Sequence, residues 1–165
     1  MKTRLLAGAV TFSAFVWALP AMAAVSDQSF ATQAAQDGVA EVQMGQLALE
    51  KGEAQGVKQF GQMLVQDHTQ ANQQLLQIAQ QQKVTVPQRP TQQDVSEMDK
   101  LKGLSGADFD RQFARVMVQD HQKSVQLFQQ EAQSGHDSAL KSFAQNTLPV
   151  LQKHLQTAES LEQEH

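Results

Sequence analysis

Residues 57–78 read VKQFGQMLVQDHTQANQQLLQI. Val57, Gly61, Leu64, His68, Ala71, Leu75 and Ile78 recur at alternating steps of four and three, the rhythm of one helix face turned toward a core. Gln is the commonest residue at the positions between them, so the opposite face is solvated. An imidazole, His68, sits in the middle of the apolar seam. This segment decides two things: the chain is helical, and its interior carries a polar group.

The same pattern extends in both directions. Apolar residues keep helical spacing almost throughout, and strict alternation and β-branched runs are nearly absent, so no strands are expected. A first helix is predicted over 27–51, capped by Ser26 or Asp27 and ended at Gly52. A second is predicted over 53–83. The segment 84–90 contains Pro87 and Pro90, which push the residues before them out of the helical region. A short helix follows from Thr91 to Leu101, with Asp94 placed to complete a cap, and Gly103 and Gly106 break it. A third long helix is expected over 108–133, ended by Gly135, and a fourth, capped by Asp137, runs to near Glu162. Tight turns join the first and last pairs, whereas the middle connection is long. The expected fold is therefore all-α: an antiparallel four-helix bundle of ferritin-like connectivity, two helical hairpins joined by a long crossover that carries a short helix.

The beginning of the chain has a different character. Lys2 and Arg4 precede an apolar run from Leu5 to Leu19, Pro20 interrupts it, and Ala21-Met22-Ala23 supplies small residues. That is the three-part pattern of a secretory signal peptide, with cleavage expected after Ala23. The run is shorter than the ~20 residues that span a bilayer. The division is thus 1–23 signal peptide and 24–165 bundle domain, and the mature chain is expected in the periplasm with no transmembrane segment. The formal net charge is −4, and loss of Lys2 and Arg4 makes it two units more negative. No basic patch stands out, which argues against nucleic acid as a partner. There is no cysteine, which removes disulfides, thiolate ligands and thiol nucleophiles.

Polar residues on the core stripes point to the chemistry. Phe30, Ala34, Gly38, Glu41, Gly45 and Ala48 share a face of the first helix; Phe113, Met117, His121, Ser124 and Phe128 share one of the third; Leu140, Ala144, Thr147, Leu151, His154, Ala158 and Leu161 share one of the fourth. Each long helix thus turns one ionisable group inward: Glu41, His68, His121 and His154. Counting from the hairpin turns places them within about one helical turn of a common height, roughly 6 Å. Buried ionisable groups must satisfy one another, hold water or hold an ion. Three imidazoles and a carboxylate suit a divalent metal such as Zn²⁺ or Cu²⁺. Asp67 and Asp120, each preceding a histidine, are supporting candidates, either as acceptors of an imidazole N–H or as direct ligands. The alternative is a buried His/Glu/Asp network that only sets the register of a non-catalytic envelope stress or interaction protein. A di-iron ferroxidase is disfavoured, because Val65, Val118 and Leu151 stand where Glu-x-x-His motifs would need Glu. No nucleophile triad or nucleotide fingerprint is present. Glu131 and Glu159 read as surface residues, His136 and His165 as solvated, and Met44, Met63 and Met117 as core filler. Pro149 lies inside the fourth helix, where a kink is expected.

The chain also contains an internal echo. Met63-Leu64-Val65-Gln66-Asp67-His68 resembles Val116-Met117-Val118-Gln119-Asp120-His121, which suggests either a repeated hairpin or a repeated chemical demand. The segments Gly38-x-x-Glu41, Phe60-Gly61-x-x-Leu64-Val65-x-Asp67-His68, Val86-Pro87, Leu104-Ser105-Gly106-x-x-Phe109-Asp110, Asp120-His121, Phe143-Ala144 and Thr147-Leu148-Pro149-x-x-x-x-His154 together resemble the bacterial envelope family called domain of unknown function 4142, over roughly residues 28–162. The resemblance implies a ferritin-like bundle in the cell envelope and no particular activity.

Overall fold

The computed structural model describes residues 26–164, so the proposed signal peptide lies outside the described residues. Those residues form five helices and no strands: α1 (Asp27–Lys51), α2 (Gln55–Gln81), α3 (Gln92–Lys102), α4 (Gly106–Ser134) and α5 (Ser138–Glu164). α1 and α2 pack along their length as one hairpin and α4 and α5 as the other; α2 lies against α5 and α1 against α4, and α3 on the crossover touches α1 and α4. The four-helix bundle with a helical crossover is therefore as expected.

Local chemistry explains the helix ends. The Ser26 hydroxyl accepts from the Ser29 amide and starts α1. Thr91 and Asp94 form a reciprocal capping box on α3. Asp137 Oδ1 accepts from the amides of Ala139 and Leu140 to start α5. Gly52 and Gly135 end α1 and α4 in an extended conformation, φ −56° and −58°, that any residue can adopt. What demands glycine there is space: a Cβ would lie 2.6 Å from the Ala48 carbonyl oxygen and 2.7 Å from that of Glu131, respectively. Gly106 does use glycine's freedom, opening α4 at φ +59°. It therefore begins the helix that was expected to start at Asp108. α2 begins at Gln55 rather than Glu53, with Ala54 extended at φ −68° and ψ 139° as its cap, and the amides of Glu53 and Ala54 are held from outside the hairpin.

Their partner is Asp110, near the start of α4, whose two carboxylate oxygens accept from Glu53 N at 3.0 Å and Ala54 N at 2.7 Å. Asp27, at the start of α1, does the same for the other turn, accepting from His136 N at 3.0 Å and Asp137 N at 2.8 Å. Each hairpin's turn is thus held by the first helix of the other hairpin. One sequence shift carries Asp27 onto Asp110, Gly52 onto Gly135, and Asp27-x-x-Phe30-Ala31 onto Asp110-x-x-Phe113-Ala114. That is the repeat of the hairpin unit. The Val-Gln-Asp-His echo does not follow it, since α2 is second in its hairpin and α4 first.

The interior is divided. One apolar core gathers Met44, Leu47, Val57, Phe60, Leu64, Leu101, Phe109, Phe113, Met117 and Leu161 near the α1–α2 turn. A second gathers Phe30, Leu75, Phe128, Leu140, Phe143 and Leu151 near the α4–α5 turn. Glu41, His68, His121 and His154, all buried, lie between the two. The apolar layers above and below supply the burial that offsets the desolvation of this polar layer.

A candidate metal centre of three histidines

His68 on α2, His121 on α4 and His154 on α5 face one another, with ring centroids 5.4–5.8 Å apart in each pair. His121 and His154 are fully buried and His68 is 8% exposed. One ring nitrogen from each lies within 4.8 Å of those of the other two. Phe60 walls the cluster, its ring 6.1 Å from His121 and 5.9 Å from His154.

The hydrogen bonds at the rim of the cluster fix two of the rings. His121 Nδ1 lies 3.0 Å from the Met117 carbonyl oxygen one turn earlier, so Nδ1 carries the proton and donates it. His154 Nε2 lies 2.9 Å from Asp67 Oδ2 and donates to that carboxylate across the α2–α5 interface. The nitrogens that remain buried without a partner are His68 Nε2, His121 Nε2 and His154 Nδ1. Burial lowers the pKa of all three: His68 well below its ordinary value with His121 and His154 adding to the effect, His121 to about 3 with His154 adding, and His154 against an opposing pull from Asp67. Near neutral pH the three rings are uncharged, each with a lone pair. Neutral imidazoles with an N–H held by a carboxylate or a backbone carbonyl are the state that ligates transition metals.

The other sequence-predicted residues fall in different places. Glu41 is buried, but its Oε1 lies 3.6 Å from His121 Nδ1, the nitrogen already bonded to Met117. It stands behind His121, outside the group of converging ligand atoms. Burial, with Asp120, Asp37 and Asp94 nearby, raises its pKa well above the ordinary value and so favours its protonated form. Asp67 supports the cluster by accepting a hydrogen bond, though from His154 and not from its neighbour His68. Among the described residues Asp120 accepts from no histidine; its Oδ1 accepts from Lys123 Nζ at 3.2 Å, and it lines a cavity on the α1–α4 side with Asp37 and Glu41.

Two residues escaped the sequence reading. Asp37, one turn before Glu41, is pushed up to about 7 by burial and by Asp94 and Asp120; the i, i+4 spacing of the two acids was its signal. Glu131 is buried, 2% exposed, not on the surface as expected. It continues the stripe His121, Ser124, Phe128, Glu131, and that spacing marked it as inward-facing.

Fold and geometry define a helical-bundle protein with a buried three-histidine cluster between two apolar cores. The chain belongs to the DUF4142 family, a domain of unknown function whose model matches residues 17–161. Among solved structures it is similar to CopM in a Cu(II)-bound form, at 20% identity and TM-score 0.71, covering 84% of this chain and 97% of that one. It is also similar to a DUF305 fragment from Deinococcus radiodurans, at 14% identity and TM-score 0.74, covering 84% and 96%. A DUF305 protein from Streptomyces coelicolor matches at 15% identity and TM-score 0.71, covering 86% and 95%. These likenesses establish a shared fold. No curated protein matches the chain. Among the described residues, no helix is long and apolar enough to cross a membrane.

Proposed function

We propose that this chain is an exported, periplasmic bundle that binds a transition-metal ion, copper or zinc, through His68, His121 and His154, and serves to store or buffer it. The observation that carries this reading is the convergence of three buried imidazoles, each with one nitrogen that has no partner among the described residues. A network built only to set helix register would pair those nitrogens, since each buried unpaired polar atom costs ~1–3 kcal/mol. Imidazole suits both Cu and Zn, and with no cysteine in the chain the donors are confined to His and carboxylates. Asp67 orients His154 and the Met117 carbonyl orients His121, so two of the three ligand nitrogens are aimed before an ion arrives. CopM has been solved with Cu(II), Cu(I) and Ag, which favours copper among the ions that imidazoles accept. The leader-like pattern of residues 1–23 supports delivery to the periplasm.

The test is metal analysis of the mature chain purified without a histidine tag, together with thermal melting with and without Cu²⁺ or Zn²⁺. One bound ion per chain and a higher melting temperature are expected. A chain that carries no metal and melts identically in both conditions overturns the reading.

A further inference from the structure

On the side of the bundle opposite the Asp67–His154 bond, a cavity of about 190 Å³ opens between α1, the start of α3 and α4. Four carboxylates line it, Asp37, Glu41, Asp94 and Asp120, with Lys123 the cation beside them. Glu41 forms its inner wall: it is 4% exposed, and its Oε2 is buried without a hydrogen-bond partner. A smaller inner cavity of about 20 Å³, room for roughly one water, shares Asp37 and Ser124 with the outer one and is walled by His68. Asp37 and Ser124, common to both cavities, therefore stand between the surface carboxylates and His68.

We propose that the outer cavity is a cation-binding antechamber, in which Asp37, Glu41 and Asp120 take up a divalent cation and pass it by Asp37 and Ser124 to His68. This rests on the histidine site proposed above and adds the route to it. A cation entering there displaces the protons that burial favours on Asp37 and Glu41 and competes with Lys123 for Asp120, while the imidazoles, softer donors with no charge to neutralise, retain the transition metal. A second groove, on the α2–α5 side, shares Ala71 and Thr147 with the same inner cavity. It offers one carboxylate, Asp67, bonded to His154, against four at the α1–α4 cavity.

The two mouths are separable by surface charge. Gln33 at the acidic mouth and Gln70 at the other are both exposed, so a lysine at either leaves the core untouched. Stopped-flow uptake of Zn²⁺ by the mature chain, read against a fluorescent chelator, gives the rate, and titration with the same chelator gives the dissociation constant. Gln33→Lys is expected to slow uptake about tenfold at low ionic strength, with the difference vanishing in about 1 M salt. Asp37→Asn should slow it as well, while Gln70→Lys leaves it unchanged. The equilibrium constant should move less than about threefold in the two lysine variants. Wild-type uptake rates in both Gln33→Lys and Asp37→Asn, or a larger effect from Gln70→Lys, overturn the antechamber and leave the histidine site standing. A wild-type chain that takes up neither Zn²⁺ nor Cu²⁺ at equilibrium overturns both, and a chain selective for Cu²⁺ is put through the same uptake comparison with that ion.

Discussion

Glu131 carries both carboxylate oxygens into the interior without a partner for either. Burial raises its pKa to about 7, with Asp27 and Asp137 adding to the effect and Lys141 opposing it. The folded state thus holds this proton more tightly than the unfolded chain, where the group titrates near 4.5. Below that value both states are protonated and Glu131 costs nothing extra. Between it and about 7 the unfolded chain ionises first, so stability falls as pH rises, and the full cost applies above. Glu131→Gln should therefore raise the melting temperature at about pH 8 by several degrees and leave it nearly unchanged at about pH 4. Equal shifts at both pH values would rule out this cause. His68 also buries a polar atom without a partner, but there the group is neutral and the cost does not depend on ionisation. Replacing it with leucine removes the unpaired Nε2 while keeping a similar volume, so the metal-free chain should gain ~1–2 kcal/mol. The same variant should lose the metal-dependent rise in melting temperature. A His68→Leu chain that still shifts with Cu²⁺ would place the ion elsewhere.

At the level of helices, α1 and α2 meet where Gly45 and Gly61 face each other. A Cβ on Gly61 would lie 2.7 Å from the Gly45 carbonyl oxygen and 2.8 Å from Ala48 Cβ, against backbone and a short side chain that cannot swing away. Gly61→Ala should cost about 1–3 kcal/mol of overpacking, more than the ~1 kcal/mol that alanine returns in helix propensity. Gly56→Ala, on the same helix, would meet only Leu161 Cδ2 at 3.0 Å, the far end of a flexible side chain. It should be neutral or stabilising, and chemical denaturation of the two variants checks the contrast. The helices themselves were legible because stripes such as Val57–Ile78 are local: the period is written in each segment, and α1 begins and ends where its caps say. The start of α2 was not legible, because what holds the amides of Glu53 and Ala54 is Asp110, distant in sequence. In the site, the histidines were readable as inward residues, whereas their free nitrogens were not. Which nitrogen faces the centre depends on bonds to Met117 O and Asp67 that only the folded geometry provides. Glu41 passed as a fourth ligand for the same reason: stripe and height are sequence properties, but the side of His121 on which it stands is not.

Across the whole molecule, the two hairpins are tied together by three separate devices: the paired apolar cores, the histidine cluster and the two crossed turn caps. His68 belongs to the first hairpin, His121 and His154 to the second, so a metal held there would join the halves at mid-height. Asp27 and Asp110 join them at opposite ends. The two caps are chemically alike but differ in setting, since Asp110 is 1% exposed and Asp27 is partly exposed at the beginning of α1. Water can replace the Asp27 oxygens when they are removed, and it reaches the Asp110 site poorly. Asp110→Ala leaves two amides of the α1–α2 turn unpaired, at a cost of about 2–4 kcal/mol. Asp27→Ala should cost about 1 kcal/mol. Because Asp110 holds one hairpin to the other, its loss should also free the α1–α2 turn from exchange protection while the amides in the middle of α2 and α5 stay protected. Hydrogen exchange followed by mass spectrometry resolves the two regions. Loss of protection confined to the start of α4 would mean that Asp110 serves only its own helix, and that the hairpins are held by their cores alone.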